Sequence, residues 1–459
     1  MCSYQQPINL AYLAAAVIKA GFTAEIWDYS IEGFIETGFV NRIRECEPFA
    51  VGFHCKTFNI NQGHYLAGIV KKSFPEIHTI VGGHHSSALP IETLDEFPYF
   101  DIAVVGEGEV TIVDLCNKIL NENSLGNVSG IAFRQGDVAI LTKKRELIGN
   151  LDEIDYPARN LFPKICTVKQ HSTRGIAPSN QITEIFTSRG CPGKCIFCAV
   201  NINYGNRIRL RTVDNVLGEV SECISRHNYN YIIIQDDTFT LNKTRVSGIL
   251  EGFRRLGLRS WSCDSRVDSV DQEMLREMAL SGCKKISFGV ESGSEKILKL
   301  IKKNISVEQV IRAVEWARKA NIDIIECTFL IGSHPDETYE DVQATWKLIK
   351  KIKPDIIAVS VIVPYPGTEI NKLMNERGYI DSKKWDDFQI IGSKPGWHTA
   401  NFSSSELLRI QRKFINRYHF SAKNLVKKIT KIKSVKEARY LFTLGLEYIK
   451  FIIKNRVKA

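Results

Sequence analysis

Apolar runs of strand length alternate with amphipathic stretches of helix length along most of this 459-residue chain, and that alternation restricts its fold more than any other feature. Strands joined by helical crossovers lie parallel, and a parallel sheet needs helices to cover it, so the chain reads as α/β. In residues 1–142, "INLAYLAAAVIKAGF" predicts a helix ending at Gly21, "TAEIWDY" and "FAVGFHC" predict strands, and "NQGHYLAGIVKKSFP" predicts a helix. "HTIVGGHH" and "DIAVVGEGE" predict strands running into glycine turns, the edge at which an open α/β sheet binds ligands. Residues 143–180, with "GNLDEIDYPARNLFP", read as a polar linker. In residues 181–374, "TEIFTSRG", "YIIIQDD", "LRSWSCDSR", "KKISFGVESG", "IDIIECTFLIG" and "DIIAVSVIVPYPGT" give six strand–helix units, predicting a barrel or partial barrel. Residues 375–459 read as helical and basic.

"TSRGCPGKCIFCAVN" places Cys191, Cys195 and Cys198 in a loop after the first of these barrel strands. A structural zinc site closes with four protein ligands, and the nearest histidines, His171 and His227, lie well outside the loop. Three thiolates on a four-iron cluster leave one iron uncapped, free to bind and activate a small molecule. Residue types and spacing alone leave three readings open: an iron–sulfur cluster, zinc, or unliganded cysteines.

The twelve cysteines are scattered, and no amino-terminal stretch has the order of a secretory signal, so a reducing, cytoplasmic setting is expected. No apolar run approaches the roughly 20 residues of a spanning helix. The net charge of +10 is concentrated at the end, where residues 421–459 hold eleven Lys or Arg against Glu437 and Glu447. The remainder is almost neutral, which gives little reason to expect a nucleic-acid enzyme. "ARYLFTLGLEYIKFIIKNRVKA" either packs its apolar stripe on the barrel or lies on an anionic membrane surface.

The triplet Cys191-x3-Cys195-x2-Cys198, with Phe197 before its last cysteine, resembles the signature of the radical S-adenosylmethionine (SAM) enzymes. The resemblance runs on for about 190 residues through "QDDTFT", "SRVD", "FGVESGSEKIL", "FLIGSHPDET" and "PYPGTEI", in the family's order. It implies a [4Fe-4S] cluster on the three cysteines whose open iron binds SAM, and reductive cleavage of SAM to a 5′-deoxyadenosyl radical that abstracts hydrogen. Phe197 would lie near the adenine. Asp236 and Asp237 stand where the family often has Gly-Gly-Glu, so a carboxylate would accept from the SAM ammonium, with the choice between them open. Glu291 and Ser292 would hold the ribose or methionine end, Arg266 would pair with a carboxylate, and Gly332 would form a turn beside the adenine with Pro335 and Glu337.

"PINLAYLAAAVIKAG", "IVGGHHSSALP" and "AVVGEGEVTIVDL" resemble the flavodoxin-like or Rossmann-like cobalamin (B12)-binding domain of one large subclass. By that resemblance Gly82, Gly83 and His84 would lie near the nucleotide tail, with Gly106, Glu107 and Gly108 close by. Only "MCSYQQP" precedes the helix at Ile8, so the sheet is expected to lack its first strand. The Asp-x-His-x-x-Gly motif that gives some cobalamin proteins a lower axial histidine would fall in that region too, yet the first histidine is His54. Bound cobalamin is therefore expected to lack that ligand. His84 and His85 are adjacent and point apart on an extended chain, so they read as a turn and not as a metal pair.

The resemblance implies an enzyme performing cobalamin-dependent C-methylation of a small-molecule or lipid-like substrate, fed by an external flavodoxin- or ferredoxin-type electron donor. The rivals are radical oxidative cyclisation or rearrangement, and a non-catalytic metal or redox sensor. A methylthio-transferring RNA enzyme is disfavoured because no second cysteine triplet precedes the barrel.

Overall fold

A computed structural model describes residues 6–121, 123–162, 181–382, 384–389, 395–421 and 424. The basic tail beyond 424, and the two readings attached to it, lie outside the described residues.

The amino-terminal sheet contains β1 (Ala50–His54), β2 (His78–Gly82), β3 (Ile102–Val104), β4 (Ile131–Gln135) and β5 (Val138–Leu141), side by side in that order. The first three are parallel, and β4 and β5 add an antiparallel hairpin. Helices cover both faces, as the near-continuous apolar runs of β2 and β3 require. Helix Glu109–Leu120 places Leu115 on one face with Ile80 and Ile102, while helices Glu36–Cys46 and Ile60–Ser73 bury Phe39, Ile43 and Val70 on the other. Helix Ile8–Lys19 lies against Glu109–Leu120.

"TAEIWDY" departs from expectation, because Thr23–Asp28 forms no strand. Trp27 instead packs edge-on against Phe39, with the Arg42 guanidinium 4.5 Å from its ring centroid. In a flavodoxin-like order this segment pairs with a central strand, and among the described residues no such strand lies beside it to offer a ladder. Among the described residues β1 is consequently an edge strand.

The second sheet is a partial barrel of six parallel strands in spatial order β6 (Ile182–Ile185), β9 (Tyr231–Ile234), β10 (Trp261–Ser265), β11 (Cys283–Glu291), β12 (Ile324–Ile331) and β13 (Ile356–Val361). Between β6 and β9, β7 (Ser188–Arg189) and β8 (Arg209–Leu210) pair as a short ribbon. Side chains of Thr212, Asn242, Asp271, Ser306 and Thr338 cap the following helices, so each crossover turns sharply and all strand ends gather at one mouth. Helix Ser404–His419 covers the open edge, where Gln411 Nε2 donates to Val359 O of β13 at 2.9 Å. That bond satisfies a carbonyl that a closed barrel would pair with another strand.

Candidate functional site

The cysteine loop leaves the barrel immediately after β7. Cys191, Cys195 and Cys198 are all half-buried free thiols. Gly193 N points at Cys191 Sγ from 3.4 Å, and Cys198 N donates to Cys195 O at 3.1 Å, which curls the loop. A Cβ placed on Gly193 would lie 3.3 Å from Cys191 Sγ and 3.9 Å from Cys195 Sγ, so two sulfurs turn toward a cradle that any larger residue would fill. Burial pushes the Cys198 thiol up to about 12 and raises that of Cys195, a cost that a bound cation would reverse. Among the described residues no three or more His, Cys, Asp or Glu side chains are gathered closely enough to hold a metal ion by themselves, the three thiols included. Three cysteines in one loop, two of them with sulfurs at a side-chain-free cradle, are a donor set that fits a cluster keeping one corner open.

Two buried networks hold this loop. Asp236 accepts from Thr187 N at 2.6 Å, Ser188 N at 3.1 Å and Ser188 Oγ at 2.7 Å, and also from Thr187 Oγ1. Its carboxylate is thus spent on the strand leading into the cysteines and does not face a ligand. Asp237 takes part in none of these bonds and is exposed just past the end of β9. Desolvation by the surrounding protein, followed by the Asp236 and Asp264 charges, raises its carboxyl to about 6.

The second network crosses between the two sheets. Arg189 Nη1 donates to Glu107 Oε1 at 2.8 Å, its Nη2 pairs with Glu109, and Arg209 Nη1 reaches Glu107 Oε2 at 2.7 Å. Ile148 N fills the remaining position on Glu107 at 2.9 Å. The Arg189 guanidinium also lies 5.6 Å from the Tyr12 ring centroid and 5.5 Å from that of Tyr204. Glu107 is therefore a tie between domains and not a cofactor contact. It needs this role because a buried carboxylate is costly unless paired.

At the mouth, Glu291 adopts the left-handed φ of 66° that non-glycine residues seldom take, and Lys303 Nζ donates to its Oε1 at 2.8 Å. Arg266 is clamped in two directions, donating to Asp268 at 2.9 and 2.8 Å and to Lys303 O at 2.9 Å. Its Nη1 stays within 3.7 Å of the cradle point at Gly193, so Arg266 and Lys303 bring fixed positive charge to the cysteine loop. Phe197 is partly buried against the barrel core. Ser292 is turned away from the mouth, with its hydroxyl 3.3 Å from Thr345 Oγ1 and accepting from Ser294 N at 3.2 Å. Gly332 is likewise covered, since a Cβ there would lie 2.9 Å from Leu407 of the carboxy-terminal helix. Its N–H, with that of Ser333, donates to the buried Glu337 carboxyl, which burial pushes up to about 8.

In the amino-terminal sheet, Gly82 ends β2 and His84 follows with a buried Nδ1 that has no partner among the described residues. The other glycines serve the chain's own packing. Gly83 has φ 117° and would place a Cβ 2.4 Å from Cys55 O, Gly108 would place one 2.9 Å from Leu13, and Gly106, at φ 79°, would place one 3.8 Å from Asn203 O of the barrel domain. His84 and His85 open the short helix His84–Ala88 and not the turn expected of them, and His85 packs edge-on to Trp385 at 4.8 Å. The unpartnered His84 nitrogen beside a strand end leaves this edge suited to a polar ligand such as cobalamin.

Arg189, Lys303 and Asp264 were not marked by sequence reasoning. Arg189 and Lys303 belong to ion pairs joining residues 82 and 12 positions apart, which no local pattern announces.

Residues 185–349 match the radical SAM superfamily model, and residues 3–116 match the B12-binding domain model. An uncharacterized methyltransferase, PH0819, of Pyrococcus horikoshii is 30% identical over 424 residues, covering 92% of this chain and 90% of that protein. Among solved structures, the radical SAM methyltransferase TsrM from Kitasatospora setae, with cobalamin and a [4Fe-4S] cluster bound, aligns at TM-score 0.68 and 17% identity, covering 82% of this chain and 73% of TsrM. The cobalamin-dependent SAM radical enzyme OxsB, with aqua-cobalamin and SAM bound, aligns at TM-score 0.71 and 17% identity, covering 97% of this chain and 69% of OxsB. With its cysteine loop at the barrel mouth and a doubly wound sheet tied against it, this chain belongs to the radical SAM superfamily, in the class whose radical domain follows a B12-binding domain.

Proposed function

We propose that this chain is a cobalamin-dependent radical SAM methyltransferase acting on a carbon of a small-molecule substrate. The observation that carries the reading is the cysteine cradle at Gly193, joined through Arg189 to the Glu107–Glu109 turn of the B12-type domain. The full-length relative named as a methyltransferase supports it.

In this reading Cys191, Cys195 and Cys198 hold a [4Fe-4S] cluster, and cobalamin lies at the ends of β1 and β2 beside Gly82 and His84. When bound, the cluster supplies the electron that cleaves SAM, and cobalamin supplies a transferable methyl group. Asp237 accepts from the SAM ammonium, because it is the carboxylate of the Asp236–Asp237 pair left free at the mouth. Glu291, held by Lys303, offers an oxygen to the ribose, Phe197 lies near the adenine, and Arg266 attracts the SAM carboxylate. An external one-electron donor of flavodoxin or ferredoxin type completes the system.

Anaerobic reconstitution with iron and sulfide, followed by dithionite, SAM and hydroxocobalamin, tests this. About four irons per chain, retained cobalamin and reductive loss of SAM are expected. A protein loaded only with zinc, or a cluster inert toward SAM, would sink the enzyme reading. An active cluster without retained cobalamin would leave a radical enzyme that is not a cobalamin methyltransferase.

A further inference from the structure

A cleft of about 530 Å³ lies on helix Ile60–Ser73 of the amino-terminal domain, and none of its lining residues has a role above. Gly68 makes room for it. A Cβ there would lie 2.8 Å from the Tyr99 ring, so only bare backbone lets Tyr99 rest against the helix. His64 stacks on Tyr99 with ring centroids 4.9 Å apart, and Lys72 Nζ stands 5.7 Å from the centre of the same ring. Tyr65 also lines the cleft, and its hydroxyl donates to Glu36 Oε2, another lining group, at 2.9 Å.

An apolar knob stands beside the cleft. Phe34 packs on Tyr65 with ring centroids 6.3 Å apart, and Phe34, Ile35 and Tyr65 are 38%, 70% and 54% exposed. Exposed apolar side chains are ordinary when scattered singly, whereas a contiguous group of them marks a contact surface. Glu36 and Lys72 are both exposed and of opposite sign, and Lys72 has no carboxylate partner among the described residues. Tyr65, which carries Glu36, and Lys72 are seven residues apart, about 10 Å along the helix axis. The cleft therefore has a negative end and a positive end.

We propose that this face is a two-fold interface between two copies of the chain. The two Ile60–Ser73 helices lie antiparallel across the axis, each Lys72 meets a Glu36, and the Phe34–Ile35 knob of each copy enters the cleft of the other. A two-fold contact pairs one residue with another and the second with the first, so it needs knob and cleft, and both signs of charge, on one patch. A one-sided docking site needs only half of these. The aromatic walls and the knob supply the burial, and the charges set the register. Cobalamin binding plays no part in it.

Sedimentation velocity of the full-length protein, under reductant and at micromolar concentration, should give twice the chain mass. Ile35→Asp should leave monomer. Lys72→Glu and Glu36→Lys each set like charges face to face and should raise the dissociation constant at least about 10-fold. The double variant carrying both changes should recover most of that loss, which a general effect of surface charge would not do. All three positions are exposed, so the variants keep the folded chain, and far-ultraviolet dichroism checks this. A wild-type monomer, including one that binds a different protein through this face, overturns the proposal. So does a dimer that tolerates Ile35→Asp, or a double variant as weak as the single ones.

Discussion

Arg189 donates to Glu107 at 2.8 Å across the junction of the two sheets, two residues before the first cysteine of the triplet. The loop that presents the thiols is therefore anchored to the domain that would carry the second cofactor. Positional error between the two reacting centres is limited by a buried ion cluster and not by a flexible hinge.

Removing that anchor should be severe. Arg189→Met leaves Glu107 and Glu109 buried with fewer partners, and breaking a buried pair costs about 3–5 kcal/mol. Thermal unfolding should show a clear fall in Tm. An unchanged Tm would mean that the junction is open and hydrated in solution.

The neighbouring aspartates should separate by kind of defect. Asp236→Asn forfeits charge-assisted bonds to Thr187 and Ser188, so iron content and Tm should both drop. Asp237→Asn should leave both intact and weaken SAM binding by roughly 10-fold or more, the size of one charge-assisted bond. Equilibrium binding to the reconstituted protein measures this, and equal SAM affinity in Asp237→Asn would remove that residue from the site.

The same carboxylate predicts a pH dependence. Asp237 titrates near 6, so SAM affinity should fall as pH drops below that value and be flat above it. Asp237→Asn should abolish the slope while lowering affinity throughout.

Glu337 gives the opposite check, on stability. Burial raises its carboxyl to about 8, above its ordinary value near 4.3. The neutral form is favoured in the folded state, so its stabilisation is complete below the ordinary value and is lost as pH rises through about 8. Denaturant titrations across this range should show declining stability in the wild-type protein and a shallower decline in Glu337→Gln.

Each cysteine can be tested without endangering the core, because all three thiols sit half-buried in a loop. Cys191→Ala, Cys195→Ala and Cys198→Ala should each lose most of the bound iron with an unchanged far-ultraviolet dichroism spectrum. Full iron content in any one would transfer its ligand role elsewhere.

The sequence by itself determined the strand–helix alternation, the six parallel barrel strands and the cysteine triplet, because these arise from periodicity and close spacing along the chain. "TAEIWDY" reads as a strand yet forms none, because β-propensity does not reveal whether a ladder partner exists. Only the tertiary structure decided which of two adjacent aspartates faces the mouth, that Ser292 and Gly332 are turned to helices, and that Glu107 binds Arg189 instead of a cofactor. Those outcomes depend on charges and surfaces far apart in sequence. A buried carboxylate takes whichever cation folding brings beside it, and no local pattern carries that information.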